Sequence, residues 1–478
     1  MPPHPSALPP GSAPGHDAAA PAVVEHGTGD RLPRQLGFWS ATALAVGLVV
    51  GSGIFRAPSA VAADAGTAGR IALVWTAGGL IALCGALALA ELAVMFPRSG
   101  GLYAFLREAY GPPAAFAWGW TALVVLPASA AALAVVVAEY FGVFVPLTGV
   151  GTRLVAAALI VGVASVAYRS TRGMSALQST ATAAKVAALV GIVALAFALD
   201  DGAGGALAAP TAGAPPAAAD SAAAADWGQL GVALVAALYA YHGWHSLTFV
   251  GGEVRDPART YPRALLTGMA VVLAVYLAVN TAYLYVLPVS TLASSPLVAA
   301  DVMRHLLGPR ASAVVSALVM LSAFGTLVAN VLTQPRVFYA MAEDGLFFRR
   351  LAAVHPRHRT PHVAVALVAA MAVALAALLS FDQLRELLVV GVWPFLALSV
   401  LGVPILRRRR PGVPRPYRTP GYPLVPLAFV AATLAVLVNI AVQHPRSTLA
   451  SFAFTLLGVP VYVGWRRAGG VPAAPVVD

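Results

Sequence analysis

Apolar stretches of about twenty residues recur along most of this 478-residue chain, and about twenty is the length a helix needs to cross a bilayer core. Such a pattern leaves few folds open, because inside lipid every backbone amide and carbonyl must be paired within the protein. Composition agrees: 59% of residues are hydrophobic and 10% charged, where a soluble protein carries about 25% charged residues. We read an all-α integral membrane protein of twelve spans, at about 38–62, 70–95, 112–143, 150–168, 176–199, 228–251, 260–287, 311–342, 361–380, 384–406, 422–443 and 447–466. The third and eighth exceed what an upright helix needs, which predicts tilt or ends that protrude.

The basic residues give the orientation. With the N-terminus inside, the outer side holds Arg70, Arg153, Arg304, Arg310, Arg385 and Arg446, while the inner segments hold nearly all the rest, from Arg31 and Arg34 through Arg349 and Arg350 to Arg466 and Arg467. That excess places both termini in the cytoplasm. The net charge of +11 is spread among loops, so no nucleic-acid partner is expected; the partners are lipid and a small molecule. Residues 1–34 read as a disordered tail without the pattern of a signal peptide, and residues 467–478 as a second tail. The loop at about 200–227 is rich in Ala, Gly and Pro and divides the first five spans from the rest. The single cysteine, Cys84, excludes an internal disulfide or a cysteine metal site.

Two spans are interrupted. Gly47-Leu-Val-Val-Gly51-Ser52-Gly53-Ile54-Phe55 lies in the middle of the first, and each glycine weakens a helix by roughly 1 kcal/mol relative to alanine. The sixth contains Tyr239-Ala-Tyr241-His242-Gly243-Trp244-His245-Ser246, then Gly251-Gly252-Glu253. Paired glycine-interrupted segments in corresponding places point to a transporter's central site; the alternative is that small residues let helices pack closely.

Gly51-Ser-Gly-Ile-Phe55 resembles the first-helix motif of the amino acid–polyamine–organocation permeases, in particular bacterial members of the L-type amino acid transporter group. The resemblance continues through Glu91, Phe96-Pro-Arg-Ser-Gly-Gly-Leu-Tyr103, Tyr110-Gly111-Pro112, Gly119-Trp120, Tyr241-His-Gly-Trp244, Gly252-Glu253-Val-Arg-Asp-Pro257 and Pro262-Arg-Ala264. It extends to Arg336-Val-Phe-Tyr-Ala-Met-Ala342, Asp344-Gly345, Arg359-Thr-Pro361, Arg415-Pro-Tyr-Arg418 and Gly421-Tyr-Pro423, in the expected order. It implies a LeuT-like fold with discontinuous helices one and six. Its core of helices one to ten would occupy about 35–406 as inverted repeats, about 35–199 and 228–406, with helices eleven and twelve in 407–466. It also implies alternating access for a small amine-containing substrate and no cofactor.

An α-amino acid brings a carboxylate and an ammonium into a low-dielectric cavity, and both need partners. The amides of Gly51, Ser52 and Gly53, with Ile54 following, start a half-helix whose positive end suits the carboxylate. Carbonyls around Val49 and Val50, and from Tyr239 through Ala240 to Tyr241, suit the ammonium. Tyr239 falls where relatives often carry an aromatic lid. His242, ahead of Gly243, and His245 depart from the family pattern: they are either a packed, hydrogen-bonded pair or groups that tune the side-chain pocket. Two histidines three apart would make a poor metal site without a carboxylate cluster, so a membrane-embedded metal enzyme is a remote alternative and we expect no enzyme.

Lys185 is the chain's only lysine and lies within the fifth span, about ten residues or roughly 15 Å from its inner end. An ammonium there marks function unless its side chain reaches the interface. In several permeases of the superfamily a fifth-helix lysine stands where sodium-coupled relatives bind sodium, which implies sodium-independent transport, with Lys185 either a fixed charge or a proton carrier. Arg56 is expected to pair with Asp64 or to sit in the outer vestibule, and Glu139 to face water. Thr326 and Asn330 either line the cavity or bridge helices. Glu91, Glu253 and Asp344 read as inner gate or anchoring pairs, and Arg407 to Arg410 as a topology anchor within reach of anionic lipid. No GxxxxGK[ST] pattern supplies ATP drive. The chain reads as a neutral amino acid transporter, exchanger or proton symporter, with a cationic amino acid or polyamine permease as the alternative. No obligate protein partner is evident. Heavy Ala and Arg usage resembles a GC-rich bacterial genome, hence the cell membrane.

Overall fold

The computed structural model of the protein describes residues 32–207, 227–295, 297–308, 311–443 and 445–467. The expected N-terminal tail before residue 32, most of the expected long outer loop, and the segment beyond 467 lie outside them. The first span is two helices, α1 (Phe38–Val49) and α2 (Gly53–Ala65), bent by 45° at the glycine-rich break. Then come α3 (Ala68–Met95), a short α4 (Leu102–Tyr110), α5 (Pro112–Phe141), α6 (Gly149–Arg169) and α7 (Thr171–Leu199). The sixth stretch is α8 (Trp227–Ala240) followed by 3-10 turns at Trp244–Phe249 and Gly251–Glu253. The chain continues through α9 (Pro257–Val286), two short helices α10 (Val289–Ser294) and α11 (Val298–Leu307), α12 (Ala311–Thr333) and α13 (Pro335–Glu343). It ends in α14 (His362–Leu378), α15 (Phe381–Arg409), α16 (Leu424–Gln443) and α17 (Pro445–Arg467).

Among the described residues nine helices are long and apolar enough to cross a membrane, or ten with the bent pair counted as one span. There is no strand among them, only isolated bridges Leu36–Val254 and Ser99–Val250. The protein is thus an all-helical, multi-pass membrane protein. The α5 helix, 30 residues long and so roughly 45 Å, exceeds the roughly 30 Å hydrocarbon core, as its sequence predicts. The eighth stretch shows the same excess: α12 and α13 run on as one 31-residue span, Ala313–Glu343, with a single turn residue, Gln334, between them.

Burial separates centre from periphery. In its most apolar window α5 is 83% buried, whereas α17 is 6% buried and turns its side chains outward. A helix apolar all round belongs in such a centre, and α5 packs there against α12, α14 and α15. Both broken helices adjoin this centre: α1 packs on α7 and α9, and α2 on α8.

Candidate substrate site

The break in the first span leaves carbonyls without helical partners, and two neighbouring helices supply donors. On α7, Gln178, Thr182 and Lys185 share one face by their spacing of four and three. The Gln178 amide donates to Thr182 Oγ1 (2.9 Å), and Thr182 Oγ1 to the Ala43 carbonyl (3.1 Å). Lys185 Nζ donates to Gly47 O (2.7 Å), to Thr326 Oγ1 (3.1 Å) and to the carbonyl of Val50. From α12, Thr326 Oγ1 lies 3.1 Å from both Gly47 O and Val50 O, and Ser322 Oγ donates to Gly51 O (3.1 Å). Lys185 is 1% exposed, so its charge is held by carbonyl and hydroxyl oxygens and not by the interface. Thr326 bridges helices here and also lines the cavity described below. Gly51, Ser52 and Gly53 make no backbone hydrogen bond as donors among the described residues, so the positive start of α2 is open to a ligand.

The second break lies directly against the first. A Cβ on Gly53 would stand 2.8 Å from Ala240 Cα, and one on Gly243 would stand 2.3 Å from Leu48 O. Gly243 also has φ +120°, a conformation that favours glycine. Tyr276, on α9, joins the two: its hydroxyl lies 3.1 Å from Val49 O and 3.1 Å from Ala240 O. The N-terminal end of α2 and the C-terminal end of α8 therefore face one region with opposite dipole signs.

A cavity opens there, lined by Val49, Gly51, Ser52 and Gly53 from the first break and Tyr239, Ala240, His242, Gly243, His245 and Ser246 from the second. Ser129 of α5, Asn330 of α12, Gln334 between α12 and α13, and Phe381, Leu388 and Val392 of α15 complete its side walls. Of the residues singled out in the sequence, Val50, Ile54, Tyr241 and Lys185 do not line it. Val50 O is engaged by Lys185, Thr326 and Ser322; Ile54 is fully buried. Tyr241 packs edge-on against Trp75, with its ring 5.0 Å from that of Tyr276. Val49 O and Ala240 O, expected as ammonium acceptors, each already accept from Tyr276. Sequence reasoning missed Tyr276, Ser129, Ser322 and Gln334. Ser322, Thr326 and Asn330 recur every four residues, a signal that would have placed Ser322 on the same face.

Arg56 does not pair with Asp64. Its guanidinium lies 3.5 Å from Glu139 and stacks 4.2 Å over the Phe381 ring, which puts it on the rim of the cavity, with Glu139 part-exposed beside it. At the end of the bundle that carries residues 34–36, Arg336 makes a two-pronged pair with Glu253 (2.7 and 3.2 Å) and donates to Thr171 (3.2 Å). Asp344 accepts from Arg107 (2.6 Å), Arg98 (3.2 Å) and the Tyr103 hydroxyl (2.9 Å). Burial first, and the Asp344 charge second, hold the Tyr103 phenol well above the usual tyrosine range, so it remains a donor. Glu91 accepts from Arg407 (2.7 Å) and from the Thr419 amide and hydroxyl (both 2.7 Å). Three of the four arginines read as a topology anchor also bind the protein itself: Arg407 binds Glu91, Arg409 the Ala109 carbonyl, and Arg410 Glu108.

This arrangement defines a membrane transporter class: two interrupted helices abutting around a cavity. The sequence model for amino acid permeases matches residues 36–465. The chain belongs to the amino acid permease family, within the amino acid–polyamine–organocation superfamily. It is 31% identical over 455 residues to the serine/threonine exchanger SteT of Bacillus subtilis, covering 99% of that protein and using 92% of this chain. It is likewise 31% identical to the human large neutral amino acids transporter small subunit 2, across 94% of this chain and 83% of that one. With the mouse b(0,+)-type amino acid transporter 1 it shares 29% identity, across 90% of this chain and 88% of that one.

Proposed function

We propose that the protein is a sodium-independent secondary transporter of neutral amino acids, working by alternating access in the cell membrane with both termini cytoplasmic, and not an enzyme. The observation that carries this reading is the pairing of helix ends. The open amides of Gly51 to Gly53 at the positive end of α2 suit a carboxylate, and the negative end of α8, whose Ala240 carbonyl keeps one lone pair beside its bond from Tyr276, suits an ammonium. A zwitterion matches both. Among the described residues lining the cavity there is no Asp, Glu, Lys or Arg, which favours a neutral side chain over a cationic amino acid or a polyamine.

Lys185 supports independence from sodium. Its ammonium occupies the cluster of Gly47 and Val50 carbonyls and the Thr326 hydroxyl, oxygens of the kind a monovalent cation needs. We read the whole as a twelve-helix LeuT-like bundle, with inverted repeats at about 35–199 and 228–406 and two further helices within 407–466. The exchanger among the relatives supports exchange as the coupling, with proton symport as the other form. The test is uptake of a labelled amino acid panel into proteoliposomes, varying internal amino acid, pH gradient and sodium separately. Stimulation by internal amino acid, without sodium, is expected. A sodium requirement would overturn the role given to Lys185, and absence of uptake of every amino acid would overturn the function.

A further inference from the structure

The helix ends account for a substrate's backbone groups and leave part of the cavity wall unused. His245 and Gln334 both line the cavity, and each is 2% exposed. Neither His245 Nδ1 nor Gln334 Oε1 has a hydrogen-bond partner among the described residues. Buried side-chain polar atoms are nearly always paired, and one left bare calls for an explanation. Both residues line one cavity, so a ligand there that draws either side chain toward it would give the bare atom a partner.

Their surroundings say what kind of group that is. The other His245 nitrogen, Nε2, lies 3.4 Å from Ser246 Oγ, and the His242 ring centroid is 4.8 Å from that of His245. Across the cavity, Asn330 donates to Ser129 Oγ at 2.8 Å. Hydroxyl, carboxamide and imidazole groups thus line the same space as Leu126, Leu133, Leu388 and Val392. A charged side chain would find no opposite charge among these residues, and a wholly apolar one would leave both bare atoms without a partner.

We propose that His245 and Gln334 select the substrate's side chain, and that the preferred substrates are neutral amino acids bearing a hydroxyl or carboxamide. The inference rests on the transport reading above and narrows it. A site built to hydrogen-bond a substrate's polar group discriminates against the analogue lacking it far more strongly than an apolar pocket discriminates a methylene. Isosteric pairs separate the two cases, because threonine and valine fill the same volume and differ in one hydroxyl.

The test uses the full chain in proteoliposomes, with labelled alanine uptake competed by unlabelled threonine or valine, asparagine or leucine, and glutamine or methionine. The polar member of each pair should inhibit at about tenfold to a hundredfold lower concentration. His245→Phe and Gln334→Met should each move the threonine-to-valine ratio toward one. Valine matching or outcompeting threonine on the wild-type protein, with uptake intact, would overturn this selectivity and leave the transport reading standing. A wild-type preference for threonine that survives in both variants would overturn the assignment to these two residues. Absence of uptake and of competition by any amino acid would overturn the transport reading, and this inference with it.

Discussion

Gly243 carries two constraints at once, a φ of +120° and an approach that would put a Cβ 2.3 Å from Leu48 O. A left-handed backbone costs a non-glycine residue about 1–3 kcal/mol before any clash is counted. Gly243→Ala should therefore lower the thermal unfolding midpoint in detergent and remove uptake; a variant with unchanged midpoint and kinetics would mean that the two breaks do not abut. Lys185 tests the proposed coupling. Lys185→Ala should abolish or uncouple transport while the protein still inserts, and unchanged kinetics would reduce it to a structural charge. Lys185 was legible in the sequence because it is the chain's single lysine in an apolar stretch. Tyr276 was not. It is one of 14 tyrosines, in the middle of an apolar helix, and its role exists only once Val49 and Ala240 are brought within 3.1 Å of its hydroxyl.

Among the elements, the broken first span is held on several sides. The α7 face of Gln178, Thr182 and Lys185 bonds to α1, Ser322 and Thr326 of α12 bond to the break, and Tyr276 of α9 spans both breaks. Each neutral hydrogen bond contributes about 1 kcal/mol net. Tyr276→Phe should thus destabilise the protein by about 1–2 kcal/mol, and should raise the KM for uptake because the two helix ends lose their shared register. A Phe variant indistinguishable from wild type in both measurements would remove Tyr276 from the site. Both breaks could be read in the sequence from clustered glycines, since glycine leaves a local signature. The short α4, α10 and α11 could not: helices of nine, six and ten residues are too brief to show a dependable period and form because the surrounding bundle accepts them. The partner of Arg56 was equally out of reach, since Asp64 is near in sequence while Glu139 is near only in space.

For the molecule as a whole, the end of the bundle that carries Glu253 is where distant parts of the chain are fastened. Glu253 and Arg336 are 0% and 1% exposed in their side chains, so neither charge has water to fall back on. Removing one member of a buried pair costs about 3–5 kcal/mol because the other is left uncompensated. Arg336→Ala should accordingly lose that much stability in denaturant unfolding, and Arg336→Met combined with Glu253→Gln should recover most of it. A single variant as stable as wild type would show that water reaches Glu253. The sequence placed acidic groups beside arginines at inner ends without saying which would pair, because pairing depends on how α13, α7 and the 3-10 turns converge.

The Tyr276 hydroxyl has one proton to give and two carbonyls that share it. While it does so, the peptide groups of Val49 and Ala240 sit side by side away from solvent. Any motion that draws α1 away from α8 strands one of them, and a stranded carbonyl in a low-dielectric interior must be met by water. Parting of the breaks and wetting of the cavity thus become a single event. Amide deuterium uptake around residues 49–53 and 240–243 should then rise on one shared timescale, slowed together by bound substrate and quickened together in Tyr276→Phe.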